Sequence, residues 1–268
     1  MPLIDIQGTR LQVEDTGPGS SSEVVVFSHG LLFDTELFRP QIEALRGRYR
    51  VVAWDHRGQG QSADDPRDVI GMELLTDDAL ALLDALSVDR AHFVGLSMGG
   101  FVGMRLAARH PRRIASLSLL NTSAEPEPRR NIPRYAAMNL AARAVGVAPV
   151  VSRVLPILFG KTTMTSSARA TLRRAWAEHL AKNRRSVWRA VNGVLTREGV
   201  EHLLPRITAR TSVLVGEEDV ATVPSKGERI ARDVRGARLV RIPEAGHSSS
   251  IEQPDLVTDA LRETIERS

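Results

Sequence analysis

Four short runs, Val24–Phe27, Val51–Trp54, His92–Leu96 and Leu117–Leu120, constrain the fold of this chain more than any other feature. Each is almost unbroken in its apolar character. Such runs suit strands covered on both faces, whereas half-exposed strands alternate apolar and polar residues. Alternation of the second kind precedes them in "LIDIQG" and "RLQVED", which read as a hairpin. Helical periods lie between the runs. Phe38, Ile42 and Leu45 form one stripe, and Leu75, Ala79, Leu82 and Leu86 another. Strand–helix alternation predicts a parallel sheet with helices on both faces.

The β-type runs stop from about Thr122 to Leu204, where "RATLRRAWAEHLAKNRRSVWRAVNGVL" and its neighbours read as helices with Arg-rich faces. The earlier rhythm resumes with Thr211–Gly216, a helix after Pro224, the run Arg238–Ile242 and a last helix opened by Pro254. The expected organisation is an α/β core in two parts, residues 1–122 and 205–268, interrupted by a helical insertion over residues 123–204. A chain of 268 residues can bury such a core without cross-links, and it contains no cysteine. The N-terminus lacks a basic start followed by an apolar block. The most apolar stretch, in the insertion, is broken by Arg143, Pro149, Arg153 and Pro156. A cytoplasmic protein without a membrane span is expected.

In "HFVGLSMGGFVG" a serine stands between a strand and a helix, with Gly95 and Gly99 two positions away on either side. A core strand has no use for Ser97, and a helix start rarely wants so many glycines. Both make sense if the chain turns sharply at Ser97 so that its hydroxyl stands clear of the sheet, the pattern of a nucleophile elbow. The pentapeptide alone equally suits a tight turn with an incidental serine. A nucleophilic serine needs a base, and the base an orienting carboxylate. Asp219 follows the strand "SVLVG", and His247 follows the next strand. Catalytic groups of open α/β sheets gather at the carboxyl ends of strands, where all three residues fall. Glu217 and Glu218 compete for the acid role, but Asp219 stands farther out on the loop. His29-Gly30 ends another strand. The Leu31 N–H there, with that of Met98, would form a two-donor oxyanion hole. His29 itself reads as structural, since it precedes the serine.

Other motifs fail. "FGKTT" has Leu155 where a phosphate loop requires glycine, and "GQGQSA" is followed by Asp64, Asp65 and Pro66 rather than a helix. No histidine pair has the i, i+4 spacing with a carboxylate that a zinc site needs, so no zinc site is expected. Asp55 and Arg57 read as turn stabilisers. Charge is uneven: residues 124–206 hold 15 Arg and Lys against 5 Glu. Such a block would steer an anionic substrate, or it is a solvated surface. It lacks the reading helix or aromatic platform of a nucleic-acid binder. Trp176, Trp188 and Phe159 suit either pocket walls or internal packing of the insertion.

With "SHGLLFD", "VVAWDHRGQGQSADD", "VGLSMGGFVGMRLAARHP", "VGEEDVATVP" and "EAGHSSSIEQP" assembled, the chain resembles the α/β-hydrolase superfamily over nearly its full length. It looks most like the 3-oxoadipate enol-lactonase and carboxylesterase types. The resemblance implies Ser97 as nucleophile, Asp219 as acid, His247 as base, Leu31 and Met98 as oxyanion donors, a helical cap, and no cofactor. Ser248, rather than tryptophan, follows the histidine, which disfavours a carbon–carbon bond hydrolase. The expected reaction is hydrolysis of a small ester or lactone through an acyl-enzyme. An acyltransferase or perhydrolase would use the same triad, and a slow-turnover ligand receptor could retain it.

Overall fold

The computed structural model describes residues 2–267. Its strands are β1 (Leu3–Ile6), β2 (Thr9–Asp15), β3 (Val24–Ser28), β4 (Arg50–Trp54), β5 (Ala91–Leu96), β6 (Ile114–Leu120), β7 (Arg210–Gly216) and β8 (Arg238–Ile242). They form one sheet in the order β1-β2-β4-β3-β5-β6-β7-β8. The β1–β2 hairpin joins antiparallel, and from β4 onward the neighbours run parallel. The core helices are α1 (Arg39–Leu45), α2 (Met72–Ala85) and α3 (Met98–Arg109) in the first part of the chain. Between β6 and β7 come α4 (Ile132–Val145), α5 (Val151–Leu158), α6 (Lys161–Thr165), α7 (Ala170–Ala181) and α8 (Trp188–Leu195). The chain ends with α9 (Pro224–Asp233), α10 (Ser249–Glu252) and α11 (Pro254–Glu266).

The apolar runs are central strands because both of their faces are covered. In β3, Val26 packs into one apolar layer with Leu75 of α2, Phe101 of α3 and Ile230 of α9. Its neighbours Val25 and Phe27 face the opposite layer with Ile42 of α1 and Leu261 of α11. Successive side chains of a strand point to opposite faces, so an unbroken apolar run fills both layers. The largely parallel sheet covered by helices on both faces, anticipated from the alternation, is the one found.

Two features of this layout place the site. The chain leaves β3 in one direction to build β4, then returns to lay β5 on the other side of β3. That reversal opens a crevice beyond the carboxyl ends of β3 and β5, where ligands of open α/β sheets bind. The helices between β6 and β7 are fastened above the same end. Glu218 accepts from the Thr162 N–H at 2.7 Å and the Thr162 hydroxyl at 2.6 Å. Glu252 accepts from the Gly160 N–H at 2.8 Å. Two of the N–H groups that a phosphate loop at "FGKTT" would need, those of Gly160 and Thr162, are therefore occupied by carboxylates. Phe33 meets Trp176 edge to face at 5.6 Å, and Arg143 stacks over Trp188 at 4.1 Å. Both tryptophans are packing residues.

Candidate active site

Ser97 is the residue between β5 and α3, with φ 52° and ψ −109°. A non-glycine residue at positive φ is strained, and strain of this kind persists only where surroundings over-determine it. Two hydrogen bonds do so. The Ser97 N–H donates to the Leu120 carbonyl at 2.9 Å, and the Thr122 hydroxyl donates to the Ser97 carbonyl at 2.8 Å. The flanking glycines are sterically required. A Cβ on Gly95 would lie 2.3 Å from the Gly99 carbonyl oxygen, and one on Gly99 would lie 1.9 Å from that of Ser28.

Asp219 and His247 come together at the ends of β7 and β8. The His247 Nδ1 and Asp219 Oδ2 are 2.9 Å apart. Asp219 is also held by the N–H groups of Ala221 (2.8 Å) and Thr222 (3.0 Å), the Thr222 hydroxyl (2.8 Å) and the Asn121 amide (3.0 Å). Burial works to raise its carboxyl, but the His247 imidazole and the Thr222 donors outweigh that and hold it below the ordinary 3.8. Glu218 is committed to Thr162. Asp219 is thus the carboxylate that the structure brings to His247. Asn121, itself at φ 46°, accepts from the Ser249 hydroxyl and donates also to the Gly246 carbonyl, so it ties together the loops bearing Asp219 and His247. Neither Asn121 nor Thr222 carries a sequence motif.

The loop after β3 supplies the third side. His29 is clamped in the backbone: Nδ1–H donates to the Gly30 carbonyl at 2.7 Å, and Nε2 accepts from the His56 N–H at 2.9 Å. Burial lowers its pKa, consistent with a neutral structural ring. Asp55 accepts from the Thr35 N–H at 3.0 Å and the Gln61 N–H at 2.7 Å. Arg57 bridges Asp65 and Asp78 in the interior. Both therefore stabilise turns. Among the described residues, the N–H groups of Leu31 and Met98 have no protein acceptor. Met98 also begins α3, where the helix dipole favours negative charge.

Ser97, His247 and Leu31 line one cavity of about 150 Å³. Its other walls come largely from the helices between β6 and β7, through apolar side chains such as Met138, Val154 and Ile157. Polar groups are few: Thr222, Tyr135, Asn139, Glu127 and Arg197. Phe159, Trp176 and Trp188 are not in its wall. The cavity-lining polar residues of the insertion went unseen in the sequence, where they fit no pattern. Among the described residues, no group of three or more His, Cys, Asp or Glu side chains could hold a metal ion. Among the same residues, no helix is long and apolar enough to cross a membrane.

A strained serine at the end of a parallel strand, with a histidine–aspartate pair on the following strand ends, is the arrangement around which α/β hydrolases are built. The chain belongs to that family: the model described as alpha/beta hydrolase fold matches residues 23–254. It is 31% identical over 255 residues to 3-oxoadipate enol-lactonase 1 of Acinetobacter baylyi, covering 93% of this chain and 90% of the relative. Among solved structures, the enol-lactonase from Burkholderia xenovorans LB400 superposes with a TM-score of 0.90 at 29% identity, over 99% of this chain and 100% of that one. A thermophilic esterase from Thermogutta terrifontis, with malate bound, gives 0.91 at 29% identity, over 100% and 99%. The protein is a hydrolase of this family.

Proposed function

We propose that the protein is a serine hydrolase that opens a carboxylic ester or lactone through an acyl-enzyme. The observation that carries this reading is the strained Ser97, which lines the same apolar cavity as His247, itself paired with Asp219. His247 Nε2 takes the Ser97 proton as the hydroxyl oxygen attacks the substrate carbonyl. The developing oxyanion is received by the N–H groups of Leu31 and Met98. Asp219 fixes the tautomer, since its bond to Nδ1 leaves Nε2 as the base. His247 then returns the proton to the leaving alkoxide, which in a lactone stays tethered to the acyl group. Water, deprotonated by the same nitrogen, releases the acid and restores Ser97.

In this reading the insertion over residues 123–204 is a cap that closes the acyl cavity. Its mainly apolar wall suits a hydrocarbon acyl chain, and the lactonase and esterase relatives support esters and lactones as the substrate class. Ser97→Ala should reduce hydrolysis of p-nitrophenyl butyrate to near background while leaving the far-ultraviolet dichroism unchanged. Turnover within a few-fold of the unmodified protein would overturn the assignment.

A further inference from the structure

We propose that Arg197 is a specificity-determining residue that receives a neutral carbonyl oxygen carried within the acyl chain of the substrate, an inference that rests on the ester and lactone reading above. Arg197 lies in the loop after α8, its side chain 3% exposed, in the wall of the cavity that holds Ser97. Placing a charge there is costly unless it is used. Three contacts fix it. Nη1 donates to Glu127 Oε2 at 3.0 Å and to the Val194 carbonyl at 2.8 Å, and the guanidinium stacks over Phe101 at 4.4 Å. Phe101 is one turn beyond Ser97 on α3.

These contacts occupy one corner and one face of the guanidinium and leave an edge. Nε is buried without a partner, and Nη2 has no acceptor among the described residues. Nε and Nη2 form the fork with which an arginine grips oxygen from the side. Arg57 uses that fork on Asp78, with Nε donating at 2.8 Å and Nη2 at 2.5 Å. At Arg197 the same fork is free. An arginine serving only to hold Glu127 has no need for an unpaired edge in a buried wall, because an unsatisfied buried donor is destabilising.

The neighbours decide the charge of the ligand. Glu127, also in the cavity wall, already neutralises Arg197 and is held in turn by the Asn131 amide at 2.9 Å. A carboxylate added to the free edge would place two anions on one cation in an apolar surrounding. A ketone or amide oxygen takes the same hydrogen bonds without that repulsion. Tyr135, in the same wall, reports the field: burial and the Glu127 charge push its phenol above the ordinary 10.0. The surroundings of the fork therefore disfavour further negative charge.

The test uses p-nitrophenyl esters of one chain length: a series with a keto group at successive positions, the all-methylene chain, and a carboxylate-terminated chain. At one keto position, kcat/KM should exceed that of the methylene ester by roughly 10- to 100-fold, mainly through KM, as for a charge-assisted hydrogen bond. Arg197→Lys keeps the charge opposite Glu127 but lacks the fork, and should remove most of that excess. The double variant Arg197→Met with Glu127→Gln removes both charges together, so neither is left buried alone, and should remove it entirely. The proposal fails if no keto position is favoured, if the excess survives in both variants, or if the carboxylate ester is the best substrate. Ser97→Ala on the same esters separates this from the reading beneath it. Hydrolysis surviving in that variant would defeat the serine mechanism, whereas its loss without any keto preference would defeat only the role of Arg197.

Discussion

At Ser97 the backbone conformation and the residue types around it are one constraint seen twice. The turn from β5 into α3 brings the helix start against Ser28, and only glycine fits at position 99, where a Cβ would fall 1.9 Å from the Ser28 carbonyl oxygen. Gly99→Ala should therefore displace the helix start, costing about 1–3 kcal/mol, and a thermal melt should show a lower midpoint together with reduced turnover. An unchanged melt and rate would mean that the elbow tolerates a Cβ. The acid assignment divides two adjacent carboxylates in the same way. Asp219→Asn should lower kcat by roughly 10⁴, because the amide no longer fixes the His247 tautomer. Glu218→Gln should leave kcat nearly unchanged while loosening the grip on Thr162. The reverse outcome would exchange their roles. The elbow and the order of Ser97, Asp219 and His247 were legible because each position admits few residue types. Asn121 and Thr222 were not, since donating a hydrogen bond to a carboxylate leaves no mark on spacing.

Among the elements, the strands and core helices could be read from periodicity because two buried faces or one buried stripe dictate which positions are apolar. The helices between β6 and β7 were legible as helices, but which of their residues line the cavity was not. On α4, Met138 and Asn139 line the cavity while Leu140 and Val145 are 67% and 64% exposed, so apolarity does not mark the inner face. What docks this layer was equally hidden. His179 of α7 lies 2.8 Å from Asp34, in the loop after β3. The hydrogen bond that the His179 ring donates to Asp34, with the charge of that carboxylate, raises the His179 pKa above 6.5 despite partial burial. A histidine raised on folding contributes stability that is fully present below its unfolded value and lost as pH rises through the folded one. His179→Gln should accordingly lower the melting temperature by roughly 2 °C at pH 5.5, as expected for a partly exposed pair, and by nothing measurable at pH 9. An equal loss at both pH values would assign the effect to packing.

Over the whole molecule, charge and cavity are arranged differently from each other. The basic block of residues 124–206 is directed mainly to the surface and to backbone carbonyls. Arg184 donates to the carbonyls of Gln59 and Ser62, and Arg173 to that of Thr163. Within that block, Arg197 is the arginine found in the cavity wall, and Glu127 already pairs with it. Surface charge of this kind acts on encounter rather than on the bound state, and salt screens it. Raising ionic strength from 0.05 to 0.5 M should lower kcat/KM severalfold for a carboxylate-bearing ester and leave a neutral ester unaffected. Equal responses would make the arginines a solvated surface alone. That the site lies at the carboxyl ends of the strands was legible at this scale too, because Ser97, Asp219 and His247 each follow a strand-like run. The switch between β3 and β5 emerges only from the observed strand order. The chemistry of the cavity wall was not legible, because that wall is assembled from helices and loops spread along the chain.

Whether Ser97 is the covalent nucleophile is tested first by intact-protein mass after exposure to a fluorophosphonate, which phosphonylates such a serine with loss of fluoride, followed by peptide mapping. A single adduct on Ser97, activity lost in proportion to labelling, and no adduct in Ser97→Ala are expected. A fully active protein carrying no adduct on Ser97, or inactivation through another residue, would contradict that role.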